Sequence, residues 1–294
     1  MKKDDLASIV WAKLPNMGLG NKMLVWARAY TFAFRHNLPF FVTNWVSINY
    51  GSFLRWERSK RLYFGYFKTS SFISKWRFKK KLKNLQIVTE PTQFLSEPHV
   101  YQFEALFISN DYFHEIKPYR QIVKSGFEAS LKESYKRQYS NLSSPTIGIH
   151  IRRGDFKLGS TITPIVFFIS VINFIRSTTL KQLPVTIFSD ASDNELSEII
   201  ELQGVTRAKN QPDIMDMLQL SKSSVVVMSI SSTFSFWSAF LSEGIVIKHK
   251  DEWHPPILPT EMGNNIREFA FDNVPQSNTK LAKVLLQKFQ ECNY

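Results

Sequence analysis

Ile147-Gly148-Ile149-His150-Ile151-Arg152-Arg153-Gly154-Asp155-Phe156 is the stretch whose reading decides the fold. Isoleucines at 147, 149 and 151 mark a short buried strand, and the strand ends in two arginines and a glycine. In an open α/β sheet such a strand end lies at the edge where ligands bind. Neighbouring guanidiniums repel unless an anion lies between them, and their forked donors match phosphate oxygens bidentately. A pyrophosphate site is therefore expected. The structural alternative pairs one arginine with Asp155 and leaves the other in water.

Working outward from this strand, apolar runs and amphipathic segments alternate. Strand 146–151 is followed by a helix over 164–176, strand 185–189, and helices over 194–203 and 213–221. Strand 224–229, helix 233–243 and strand 245–248 complete the series. This alternation predicts a parallel sheet covered on both faces. Upstream, a strand over 8–14, a glycine loop over 15–21, a helix over 22–36 and a strand over 38–42 read as half of a nucleotide-binding-like domain. A helix is expected over 119–139. The polar segment Asn141-Leu142-Ser143-Ser144-Pro145 is the candidate boundary between domains 1–144 and 145–294.

Composition narrows the class. The chain has 294 residues, enough for two cores, and its 44% hydrophobic content is that of a globular protein. Its one cysteine, Cys292, excludes a disulfide framework and favours a reducing compartment. Met1-Lys2-Lys3-Asp4-Asp5 reads as neither signal peptide nor anchor. The longest uncharged run, 162–175, is 14 residues and too short to span a bilayer. A cytoplasmic protein is expected, with a peripheral place on the inner membrane as the companion reading.

Net charge is +12, and the excess is concentrated. Between Phe53 and Asn84 lie Arg55, Arg58, Lys60, Arg61, Lys68, Lys75, Arg77, Lys79, Lys80, Lys81 and Lys83, against Glu57 alone. Aromatic residues such as Trp56, Tyr63, Phe72 and Trp76 are interleaved with them. Three readings stand: an anionic membrane surface, a solvated basic face with core aromatics, and single-stranded nucleic acid. No nucleic-acid motif accompanies the charge, so nucleic acid is not the expected partner.

The same central stretch carries a family resemblance. His150-x-Arg152-Arg153-Gly154-Asp155 resembles the signature of fucosyltransferases that use GDP-fucose, and most closely that of the α-1,2-fucosyltransferases of glycosyltransferase family 11. Gly18-Leu19-Gly20-Asn21-Lys22-Met23 resembles that family's Gly-x-Gly-Asn-Gln-Met loop. Ile187-Phe188-Ser189-Asp190 is similar to its Phe-Ser-Asp-Asp strand end. Ser231-Ser232-Thr233-Phe234-Ser235-Phe236-Trp237-Ser238-Ala239 resembles its Asn-Ser-Ser-Phe-Ser-Trp-Trp-Gly-Ala.

The resemblance implies an α/β chain of the GT-B class, with two Rossmann-like domains facing a cleft, the first on the acceptor side and the second binding the GDP-sugar. It implies inverting transfer of L-fucose from GDP-fucose to a sugar hydroxyl, α-1,2 to galactose, on an oligosaccharide or lipid-linked glycan. No Asp-x-Asp triplet is present, so no metal or other cofactor is expected. Fixed cations must stabilise the leaving diphosphate.

By the same resemblance Arg152 contacts the β-phosphate. Arg153, one position on, points the other way along an extended strand, pairing with Asp155 or shaping the loop. His150 contacts the nucleotide, or is a buried histidine bonded to backbone. Gly154 lets the chain turn where a larger residue would crowd the donor. Asp216 accepts from guanine, or is a solvent-facing helix acid, and Asp213 is a cap or dipole partner. Ser231, Ser232, Thr233 and Phe234 open a helix whose N–H groups and hydroxyls suit phosphate. Asp190 lies at the same sheet edge, with Ala191 where the family has a second acid. Gly18, Gly20, Asn21 and Lys22 form the acceptor-side loop.

Overall fold

The computed structural model describes residues 7–46, 63–68, 75–106, 108–154, 162–259, 266–272 and 279–290. Asp155, Cys292 and most of the basic aromatic stretch lie outside the described residues. Two compact units divide the chain between Arg137 and Gln138.

The first unit contains β1 (Ile9–Lys13), α1 (Leu19–Arg35), β2 (Phe40–Thr43), α2 (Lys75–Asn84), β3 (Gln86–Thr89), β4 (His99–Phe103) and α3 (Arg120–Ser130). Its sheet is parallel, in the order β2-β1-β4-β3. Aromatic packing supplies much of its core. Trp26 of α1 stacks on Tyr30 with centroids 4.9 Å apart and meets Phe127 edge-on at 5.8 Å. In α2 the basic stretch divides by face. Phe78 stacks on Phe41 at 3.9 Å, and the buried Lys81 donates to the carbonyl of Ala7 at 2.5 Å. Trp76 is 68% exposed.

The helix expected over 119–139 is broken. Leu131 is extended, at φ −65° and ψ 146°, and α4 (Glu133–Ser140) starts afresh beyond it. Residues 66–68 cause the break by taking backbone bonds that a continuing helix would need. Lys68 N–H donates to Ser130 at 2.8 Å, Lys132 N–H donates to Tyr66 at 2.9 Å, and Leu131 bridges Phe67.

The second unit runs β5 (Ile147–Ile151), α5 (Ile165–Thr179), β6 (Val185–Ser189), α6 (Ser197–Ile200), β7 (Val205–Arg207), α7 (Asp213–Ser221) and β8 (Val225–Val227). It continues with α8 (Thr233–Leu241), β9 (Ile245–His249), β10 (Glu268–Phe271) and α9 (Thr279–Gln290). The helix expected over 194–203 is one 3₁₀ turn followed by the short α6, before Gly204 at φ 71°. All six strands are parallel, in the order β10-β9-β8-β5-β6-β7. Counted within the unit from β7, this is the doubly wound order 3-2-1-4-5-6, whose switch point lies between the first and fourth strands. Here those strands are β5 and β8.

Both faces of the sheet are covered, so every residue of β5 is buried. On one face α5 inserts Phe167, Phe168, Val171, Ile172 and Ile175. Helix α9 packs on α5 through Leu281, Leu285 and Phe289, which recur every fourth residue along one helical stripe. Gly148 lets β5 approach α7: a Cβ there would sit 2.2 Å from Ser223 Oγ and 2.8 Å from Leu220 Cδ1. Among the described residues no helix is long and apolar enough to cross a membrane.

Candidate functional site

Parallel strands point their carboxyl ends one way, and the helices that follow begin at that edge. Arg152 and Arg153 therefore leave β5 beside the turn that joins β8 to α8, at the switch point. Ser229 joins the two strand ends. Its Oγ donates to the carbonyl of His150 at 2.8 Å and accepts the Arg152 N–H at 2.9 Å.

The paired arginines have separate roles. Arg152 Nη1 lies 2.5 Å from Asp190 Oδ2, at the end of β6. The other oxygen of Asp190 accepts the backbone N–H of Arg153 at 2.8 Å. The Arg153 side chain is buried, and it donates to the carbonyls of Arg152 at 3.0 Å and Thr163 at 3.0 Å. It braces the strand end against the segment leading into α5. Asp190 is thus the carboxylate that the structure sets beside Arg152, and the pairing expected with Asp155 lies outside the described residues.

Gly154 lies in a 3₁₀ turn, and it has a spatial reason as well. Its backbone is outside the left-handed region, but a Cβ would meet Asp190 Oδ2 at 2.3 Å. The missing methyl is the space that Asp190 occupies.

His150 is buried, with its ring 4.7 Å from that of Phe234 and its Nδ1 2.7 Å from Ser235 Oγ. Burial, reinforced by the Arg152 charge, pushes its pKa down to about 3, so the imidazole is neutral at physiological pH. Of the two sequence readings, a contact to the nucleotide or a buried histidine bonded to backbone, the structure shows a buried ring, with a side chain as its partner.

The depressed pKa has a measurable consequence. Between pH 6.5 and about 3 the unfolded chain binds a proton here that the folded chain refuses. The associated stability is complete above pH 6.5 and declines as pH falls. Going from pH 7 to pH 5, urea unfolding should show the wild type losing about 2 kcal/mol more than His150→Gln. Equal losses would show that the ring carries no such linkage.

The turn before α8 is held on several sides. Ser232 is the helix N-cap, accepting the Ser235 N–H at 3.4 Å, and Thr233 begins the helix. Ser231 adopts φ 55°, its N–H donates to Glu252 Oε2 at 2.6 Å, and its Oγ accepts the Trp253 indole N–H at 3.0 Å. Two of the three consecutive hydroxyls therefore have structural partners. Thr163 Oγ1 accepts the Ile230 N–H at 2.8 Å, tying the same turn to the carbonyl that holds Arg153. Burial raises the pKa of Glu252 against the opposing pull of its two backbone donors.

Asp213 and Asp216 lie in the first turn of α7, which starts at the same sheet edge. Pro212, not Asp213, occupies the N-cap position, and Asp216 Oδ1 accepts from Gln211 Nε2 at 2.9 Å. Ser229, Ser235, Thr163 and Glu252 were not singled out in the sequence. Ser235 sits inside the quoted serine motif, three residues past the N-cap, where a capping partner is expected.

The candidate acceptor-side loop belongs to the first unit. Gly18 is the N-cap of α1, and the Leu19 N–H donates to Tyr63 Oη at 2.7 Å. Lys22 is fully buried, donating to the carbonyls of Pro15 at 2.8 Å and Asn44 at 2.6 Å. Burial lowers its pKa to about 8. Its ammonium joins the β1–α1 turn to the end of β2 instead of lining an open surface. Gly20 is buried within the first turn of α1, while Asn21 Oδ1 is buried with no hydrogen-bond partner among the described residues.

The chain aligns with known structures. The chain is similar to an Arabidopsis thaliana FUT1 variant in complex with GDP, at 12% identity and a TM-score of 0.51, covering 83% of this chain and 71% of that one. The fucosyltransferase NodZ from Bradyrhizobium aligns at 13% identity and a TM-score of 0.46, over 80% of this chain and 93% of that one. POFUT1 in complex with GDP-fucose aligns at 12% and 0.47, over 92% and 98%. A comparison with curated proteins returned no match. With two parallel α/β units in one chain and the FUT1 likeness, the fold is of the GT-B class. The model of the Glycosyl transferase family 11 matches residues 67–252, more than half of the sequence, and the chain, a glycosyltransferase, belongs to that family.

Proposed function

We propose that this glycosyltransferase moves L-fucose from GDP-fucose to a sugar hydroxyl, with inversion and without a metal ion, forming an α-1,2 link to galactose in a surface glycan. One observation carries the reading: at the switch point of the second unit, a guanidinium fixed by Asp190 lies beside a turn that opens a helix. The first N–H groups of a helix have no intrahelical partner, and such an end favours negative charge. A departing diphosphate needs that environment, and a preorganised cation supplies it without a divalent ion. The four motifs resembling the GDP-fucose enzymes, together with the GDP bound by the similar FUT1 structure, support GDP as the nucleotide.

Asp216 is the proposed partner of guanine, whose N1 and N2 donors are adjacent and suit one carboxylate. Calorimetric titration should show GDP binding at least about tenfold more tightly than UDP or ADP, and Asp216→Ala should erase most of that preference. Equal affinity for the three nucleotides would remove guanine recognition from the proposal.

The acceptor is proposed to be lipid-linked, presented at an anionic inner-membrane face. Support comes from α2, which carries Arg77, Lys79, Lys80 and Lys83 beside the exposed Trp76, a mixture suited to headgroups and the interfacial layer. Vesicles with anionic lipid should float the protein at low salt, and Trp76→Ser combined with Lys79→Glu should abolish flotation. Equal flotation with neutral vesicles would refute the electrostatic part.

A further inference from the structure

We infer that Glu252 is a positioning residue for the diphosphate cradle, acting through the backbone N–H of Ser231, with Trp253 as a second tie on the same residue. This rests on the proposed diphosphate site at the β8–α8 turn. Ser231 occupies the left-handed region, at φ 55°, which a residue with a Cβ enters only when its surroundings hold it there. Two contacts hold it. Glu252 Oε2 accepts its N–H at 2.6 Å, and the Trp253 indole donates to its hydroxyl at 3.0 Å.

The brace is itself anchored. Glu252 is buried, and its second oxygen accepts the His254 N–H at 3.0 Å. Lys248 Nζ donates to the His254 carbonyl at 3.0 Å and pairs with Glu268 at 2.8 Å. Glu268 in turn accepts the N–H groups of Ile257 at 2.8 Å and Leu258 at 3.1 Å. The segment after β9 is thus pinned to β9 and β10, and from there it reaches back to Ser231.

Ser231 directly precedes the N-cap, so its dihedrals set the direction of the Ser232 and Thr233 N–H groups. A carboxylate in direct contact with a diphosphate would repel it. Glu252 therefore acts on the ligand through the backbone that it aims, while Trp253 prevents the Ser231 side chain from rotating away. Released from both ties, Ser231 relaxes to a commoner conformation and the helix-start donors turn from the phosphate position.

The test uses the full chain, with Glu252→Ala and Trp253→Phe titrated with GDP well below each variant's melting temperature. Glu252→Ala is expected to weaken GDP binding about tenfold and Trp253→Phe about threefold. Ser231→Gly added to Glu252→Ala should restore most of the loss, because glycine adopts the left-handed conformation unaided. Unchanged GDP affinity in both single variants, even with a lowered melting temperature, would overturn the inference and leave Glu252 a structural residue only. A loss that Ser231→Gly does not recover would overturn it too. Failure of the wild type to bind GDP would instead bring down the underlying diphosphate site, and the inference with it.

Discussion

Replacing Arg152 with alanine is expected to lower kcat for transfer from GDP-fucose about 10²- to 10³-fold, the scale seen when one preorganised charge-stabilising donor is lost. The reason lies in what the side chain does before substrate arrives. Asp190 fixes one edge of the guanidinium at 2.5 Å, and a guanidinium has five N–H donors in a rigid plane. Little reorganisation is then needed as negative charge builds on the leaving oxygen. Arg152→Lys keeps the charge but loses the fork, and should recover only part of the rate. Removing Arg152 also leaves Asp190 without its cation, so Arg152→Ala should be compared with the Arg152→Ala, Asp190→Ala double variant. Circular dichroism should show both folded. Near-normal turnover in a folded Arg152→Ala enzyme would eliminate the leaving-group role.

Adding a single methyl at Gly154 should do comparable damage from a position with no charge of its own. The new Cβ would lie 2.3 Å from Asp190 Oδ2 and 3.2 Å from Cγ, well inside contact distance. Asp190 must then rotate, which releases both Arg152 and the backbone N–H of Arg153. Turnover should fall about 10²-fold, and overpacking should cost about 1–3 kcal/mol of stability. The cause can be isolated by a double-mutant cycle. In an Asp190→Ala background the methyl has room, so Gly154→Ala should add little further loss. An equal loss in both backgrounds would show that the glycine acts in some other way.

Much of the fold could be read because the second unit's strands are buried on both faces and its helices are amphipathic. Strand 185–189 and helix 213–221 coincide with β6 and α7. What escaped was decided at long range. Leu131 leaves helical geometry because Phe67, far away in sequence, pairs with it. β7 has only three residues, too few for a period to show, and α9 lies beyond the last element expected. The candidate site divides in the same manner. His150 lies in β5 and Arg152 directly follows the strand, two positions on, so their common placement follows from the chain itself. Ser235 behind His150, Asp190 in the space left by Gly154, and Glu252 beneath Ser231 are partners across 85, 36 and 21 residues. No local pattern announces such pairs.

The strand order of the second unit has a consequence for biosynthesis. Its centre joins Ile147 to Val225, so the inner edge of β5 stays unsatisfied until β8 has emerged from the ribosome and closed a loop of nearly eighty residues. A nascent chain halted before that point presents an apolar strand with open hydrogen-bonding groups, a template for aggregation. Ribosome-bound fragments ending near residue 215 should accordingly recruit chaperones more strongly than the released full-length chain.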